Sequence, residues 1–257
     1  MKIGVFTSNQ PRHIALLNNL SSRGHDVHAV IEAGQIQQIG VNASKLRRRY
    51  FEQMFEAENK FFGGAGNAPK TSSTLTIPMG QLNSLSRSEL TNILDCDRII
   101  VFGSDYIKGW LVDSGIELQA INIDLGISPY FRGGACNFWA VFDGYTNHVG
   151  ATIHMLSTGL DSGEMLYHAL PTFDGETPFV YTMKAVAAAH ECILQVLDKP
   201  LPVPVKQDRT MQIRYSRSAD FTDEVIEQYL ARDLTAAQLE KSLDSSPSPL
   251  LVNPHYF

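Results

Sequence analysis

The sequence has 257 residues, 44% hydrophobic and 19% charged, which allows one large core, or a main domain with a small extension. Its net charge of −6 argues against general nucleic-acid binding, which depends on neutralising phosphates. No run approaches the ~18 apolar residues of a membrane span, and the three cysteines, Cys96, Cys136 and Cys192, lack metal-ligand spacing. The opening MKIGVFTSN has no long apolar segment or small-residue cleavage site, so a signal peptide is not expected and a reducing, cytoplasmic location is the simplest reading.

Residues 2–7 form a short apolar run, the pattern of a buried strand. Ser8, Asn9 and Gln10 lead into Pro11, which suits a first helical turn. Ile14, Leu16, Leu17 and Leu20 repeat at helical spacing before Gly24, and 27–31 form the next strand. This strand–helix–strand opening predicts a parallel sheet. A helix is expected over 45–62, with the basic run 45–49 as a solvated face. A linker or lid follows over 63–73; its glycines match no phosphate-cradling pattern.

Further strands are expected at 75–78, 98–102, 118–123, 149–154 and 164–169. Ser86 or Ser88 starts a helix through Leu94, with Ser86 and Glu89 as a capping box. A long amphipathic helix spans 177–197. Pro200, Pro202 and Pro204 then mark a boundary, and the tail carries one helix near 222–231. The expected fold class is α/β, a doubly wound, mostly parallel sheet. It comprises a main domain over 1–199 and a small C-terminal extension over 200–257, whose apolar face could serve a homodimer.

Asn122 and Asp124 stand two residues apart at the end of an apolar strand. Alternation puts both side chains on one face, beyond the carboxyl end where open α/β sheets bind ligands. Two polar groups there need partners or a solvent-lined site. Alone, such a pair is also an ordinary strand-end turn. Here it is followed by Ser-Pro-Tyr-Phe-Arg-Gly-Gly over 128–134 and by Trp139. Gly150, Thr152 and His154 come next, and then Asp161 and Gly163 in a Leu-Asp-Ser-Gly turn.

This order and spacing resembles the core signature of the folate-dependent formyltransferases over roughly residues 95–175. The wording of the 128–134 loop is closer to the branch that formylates amino sugars or other small amines. The resemblance implies a Rossmann-like formyltransferase core. It also implies transfer of a formyl group from 10-formyltetrahydrofolate to a primary amine, with a nucleotide-linked amino sugar as the first choice of acceptor and no metal, nucleic acid or membrane involved. Charge building on the formyl oxygen requires a preorganised donor, the role implied for Asn122. Asp161 would orient water and accept the amine proton. Ser104, Tyr106, Ile107 and Leu160 would line the folate pocket, with Tyr106 stacking on a flat ring or packing in the core. His154 would brace the Asp161 turn. Gln10 and Arg12, with His13, could hold an acceptor phosphate at a helix start, or form a solvated helix start. Tyr130 and Arg132 would contact the acceptor or pack the loop.

The family usually carries His where this chain has Asp124. Three readings stay open. Asp124 is the general base on the amine, or it shares a proton with Asp161 so that one carboxyl is a neutral acid, or the transfer site is disabled. The functions to separate are an N-formyltransferase, a hydrolase releasing formate from the same donor, and a non-catalytic binding paralogue.

Overall fold

The computed structural model describes residues 1–34, 43–63 and 68–257. The expected linker or lid over 63–73 lies partly outside the described residues. Five parallel strands build most of the eight-stranded central sheet: β1 (Lys2–Ser8), β2 (Asp26–Ala33), β3 (Ser73–Pro78), β4 (Arg98–Phe102) and β5 (Ile121–Asp124), in spatial order 3-2-1-4-5. β7 (Ala151–Met155) runs antiparallel to β5, and β8 (Met165–Leu170) antiparallel to β7. The edge strand β10 (His255–Tyr256) is parallel to β8. The sheet is therefore mostly parallel, as the sequence pattern predicts.

Strand alternation explains the double winding. Ile3 and Val5 of β1, with Ile100 and Phe102 of β4, face one core, which α1 (Pro11–Ser22), α2 (Lys45–Phe62) and α6 (Pro178–Val196) cover. Phe6, Ile99 and Val101 face the other, covered by α3 (Thr91–Leu94) and α4 (Trp110–Glu117). The chain after β1 thus packs on one face and the chain after β4 on the opposite face. A crevice opens between their carboxyl ends, the place where such sheets bind ligands. A third cluster joins α5 (Cys136–Phe142), α7 (Asp223–Ala231) and α8 (Ala236–Ser245) through Phe138, Ile226, Tyr229 and Leu239.

Several local expectations change. The capping box forms, with Ser86 N donating to Glu89 Oε2 at 2.8 Å, but it closes a turn, and regular helix starts only at Thr91. The strand expected from 118 starts at Ile121, because α4 runs through 117 and Gln119 turns out with φ of 53°. Residues beyond 200 pack back onto the main body. β9 (Arg214–Ser216) pairs with β6 (Phe131–Gly133), and β10 completes the central sheet. Arg214 also stacks over Trp139 at 4.1 Å and pairs with Asp143 at 2.6 Å. Among the described residues no helix is long and apolar enough to cross a membrane.

Candidate active site

A cleft of about 660 Å³ opens at the β1–β4 crevice and continues over β5, large enough for a sizeable small molecule. Asn122 and Asp124 line it from β5, His154 from β7, and Leu160 and Asp161 from the following turn. Ser104, Tyr106 and Ile107 line it from the loop after β4, and Gln10, Arg12 and His13 from the start of α1. Eleven of the residues singled out in sequence thus converge on one cavity.

Asn122 and His154 are register partners in the antiparallel β5–β7 ladder, so their side chains meet across the strands. Asn122 Nδ2 lies 3.0 Å from His154 Nε2, and His154 Nδ1 lies 2.9 Å from the Met155 carbonyl oxygen. A carbonyl can only accept, so Nδ1 carries the hydrogen. Burial lowers the affinity of His154 for a second proton, which leaves Nε2 as the acceptor for one Asn122 N–H. The amide is thereby oriented, and its second N–H is free for the cleft. His154 was expected to brace the Asp161 turn; its two hydrogen bonds go instead to Asn122 and to the Met155 carbonyl at the end of β7.

The Asp161 turn is fixed by backbone contacts. Asp161 itself adopts φ of 45°, a left-handed conformation that Asp tolerates better than most residues. Arg132 Nη2 donates to the carbonyls of Leu160 (3.3 Å) and Asp161 (3.1 Å), and Gln207 Nε2 donates to those of Asp161 (3.1 Å) and Gly163 (2.8 Å). Gly163 is required by close approach: a Cβ there would sit 1.7 Å from the Met155 oxygen.

Asp124, Asp161 and His154 bring ligand atoms within 4.8 Å of one another. Burial first, and then the Asp161 charge, push the Asp124 carboxyl well above the usual carboxylate range; the Leu125 N–H and Arg132 oppose this. Burial also raises Asp161, against His154 and Arg132.

Two expected acceptor residues lie elsewhere. Tyr130 is buried, packs on His148 at 4.8 Å, and accepts the Leu250 N–H at 2.8 Å. Arg132 is buried under the Asp161 turn. Neither lines the cleft, because the 128–134 loop folds inward against the C-terminal segment. Arg12 lines the cleft but is committed to buried Glu58 at 2.8 Å. His13 is held by Ser8 at 2.6 Å, and burial keeps it uncharged, so it is not a phosphate cation. Tyr106 is exposed and donates its hydroxyl to the Thr158 carbonyl, linking the two loops across the cleft. Ile107 forms part of the buried wall, and Leu160 is exposed.

Other contributors escape sequence reading. Fully buried Glu32 accepts the Gly80 N–H at 2.9 Å and the Asp105 N–H at 2.6 Å, anchoring the 103–107 loop. An aromatic wall of Tyr50, Phe51, Phe55, Phe138, Phe179 and Phe221 closes the far end of the cleft. The aromatics of the 45–62 helix were visible in sequence, but their shared surface with Phe221 depends on the return of the C-terminal segment.

No family model matches the sequence. A methionyl-tRNA formyltransferase from Pediococcus pentosaceus is 27% identical over 170 residues, 63% of this chain. The chain spans about half of that enzyme's length, 52% of it. Among solved structures, a protein from Mycobacterium tuberculosis described as a "likely sugar N-formyltransferase" superposes with a TM-score of 0.51 and 18% identity, over 86% of this chain and 76% of that one. Glycinamide ribonucleotide transformylase 1 from Symbiobacterium toebii gives 0.50 and 18%, over 76% and 84%. The chain has the formyltransferase fold. In this fold the β5 pair and the Asp161 turn are brought to the same crevice from segments about forty residues apart.

Proposed function

We propose that the protein transfers a formyl group from 10-formyltetrahydrofolate to the primary amine of a small molecule. The observation that carries this reading is the Asn122 amide, oriented by a neutral His154 and left with one N–H for the cleft, beside the Asp161 carboxyl. A fixed donor is what a developing oxyanion needs, and a nearby carboxylate is what an attacking amine needs to release its proton. The cleft suits the donor: Val101, Ile107 and Leu156 offer apolar walls for a flat ring, and Tyr106 and Leu160 flank them. The resemblance in the 128–134 loop supports a nucleotide-linked amino sugar as the acceptor. The three free cysteines support a reducing, cytoplasmic setting.

The test is product analysis with formyl donor and a panel of amines, nucleotide-linked amino sugars included. A formamide product with stoichiometric tetrahydrofolate is expected. Formate released without any amine would instead identify a hydrolase. Ligand-induced thermal stabilisation with neither product would identify a binding protein.

A further inference from the structure

We propose that Asp124 and Asp161 hold a single proton between them, Asp124 as the neutral acid and Asp161 as the carboxylate, and that this pair carries the proton of the transfer step. The inference rests on the formyl-transfer reading above and supplies its proton path.

The geometry begins with an unpaired atom. Asp124 Oδ2 is buried and has no hydrogen-bond partner in the protein. A charged carboxyl with that oxygen buried is costly, whereas a protonated one is neutral, and Asp124 lines the cleft, where the acid can act on an occupant. The Asp161 carboxyl lies within 4.8 Å, too close for two unscreened negative charges to coexist cheaply.

The groups that face the pair cannot neutralise both carboxyls. Among the described residues, Arg132, beneath the turn, is the one arginine or lysine acting on both carboxyls, and its Nη2 is committed to the Leu160 and Asp161 carbonyls. His154 is neutral, and its only hydrogen is on the Met155 oxygen. The Cys136 thiol, from α5, is pushed up by burial and by the two carboxyls, and stays protonated. One retained proton therefore resolves the charge of the site.

The proton and electron count closes. The amine nitrogen attacks the formyl carbon, and the carbonyl π pair moves to oxygen, where the Asn122 N–H and the Asp124 O–H receive it. Asp161 takes the proton released by the amine. The oxyanion pair then re-forms the carbonyl as the bond from the formyl carbon to the donor nitrogen breaks; the pair of that bond leaves on the nitrogen, and Asp124 protonates it. Passage of one proton from Asp161 to Asp124 restores the pair. The formamide and tetrahydrofolate leave with the atoms the substrates brought. A free carboxylate at position 124 would repel the same oxyanion.

The first experiment needs no substrate: an NMR titration of the full chain labelled with carboxyl-13C aspartate. Two carboxyls are expected to titrate in linked steps, one of them well above the ordinary range. Asp161→Asn should lower the Asp124 midpoint by about one pH unit or more. Independent titration of both groups in the ordinary range, or an Asp124 midpoint unmoved by Asp161→Asn, overturns the shared proton. In kinetics, Asp124→Asn keeps a donor but cannot release a proton. Its kcat should fall roughly 100-fold with the donor KM little changed, and the alkaline decline of kcat should flatten. An unchanged kcat and pH profile overturns the proton path. Linked titration with no formyl product from any amine overturns the transfer reading above and leaves the shared proton standing.

Discussion

Asn122 and His154 meet across the β5–β7 ladder as donor and acceptor, 3.0 Å apart, because strand register makes them direct partners. His154→Ala should release the Asn122 amide. Removing one preorganised oxyanion donor typically costs 10²–10³ in kcat; because the amide remains but loses its orientation, a fall of roughly 10- to 100-fold is expected. The KM for the formyl donor should change little. Steady-state kinetics check this, and an equal loss in a variant distant from the cleft would remove the orienting role.

Acid should destabilise the fold through its buried histidines. Burial lowers His168 to about 4 and His190 to about 3, below the ordinary value of about 6.5. The unfolded chain therefore binds protons that the folded chain refuses, so stability falls as pH drops from about 6.5 toward those values. Each such group contributes on the order of 1 kcal/mol or more to this slope. Urea midpoints at pH 7 and pH 4.5 measure it. His190→Gln should reduce the slope, since both His190 nitrogens are buried without partners. An equal slope in the variant would assign the acid sensitivity elsewhere.

Glu32 joins loops that are distant in sequence, accepting N–H groups from Gly80, Leu82 and Asp105. Glu32→Ala should leave those donors unpaired and cost roughly 2–4 kcal/mol, from about 1–3 kcal/mol per buried unsatisfied group with partial rescue by water. Glu32→Gln retains one acceptor and should cost less. Because Asp105 begins the wall beside Tyr106 and Ile107, both variants should raise the KM of the formyl donor. Thermal unfolding together with donor titration tests the pairing of the two effects.

Arg132 and Gln207 both donate to the Asp161 carbonyl. Arg132→Lys loses the planar fork that spans Leu160 and Asp161, and should lower kcat about 10-fold while the chain stays folded. A double-mutant cycle with Gln207→Ala should show coupling of roughly 0.5–3 kcal/mol in activation free energy. Additive effects would mean that the two side chains do not hold one turn.

Gly163→Ala tests the same corner from the backbone. The new Cβ would meet the Met155 oxygen at 1.7 Å, the atom that fixes the His154 tautomer. Destabilisation of more than about 3 kcal/mol is expected, in the upper range for single substitutions. Circular dichroism melts would show it, and a Tm unchanged from the parent would contradict the close approach.

The strong strand runs, the Lys45–Phe62 helix and the long α6 were legible because hydrophobic period alone specifies them. Asn122, Asp161 and Gly163 stood out as one motif through the order and spacing that resemble the formyltransferases, since period alone does not single them out. β6, β9 and β10 were not. Two or three residues carry no period, and they become strands only when a distant partner supplies hydrogen bonds. Arg132 read as an acceptor contact because the family resemblance places it in the 128–134 loop; its burial follows from the turn and the C-terminal segment that close around it.

By itself, the sequence determined the α/β class and the residues able to do chemistry, since both follow from side-chain type and spacing along the chain. Only the tertiary structure decided which of them work together. Strand register set His154 against Asn122, the 160–163 turn set Asp161 against Asp124, and burial made the charge state of that pair depend on both carboxyls at once.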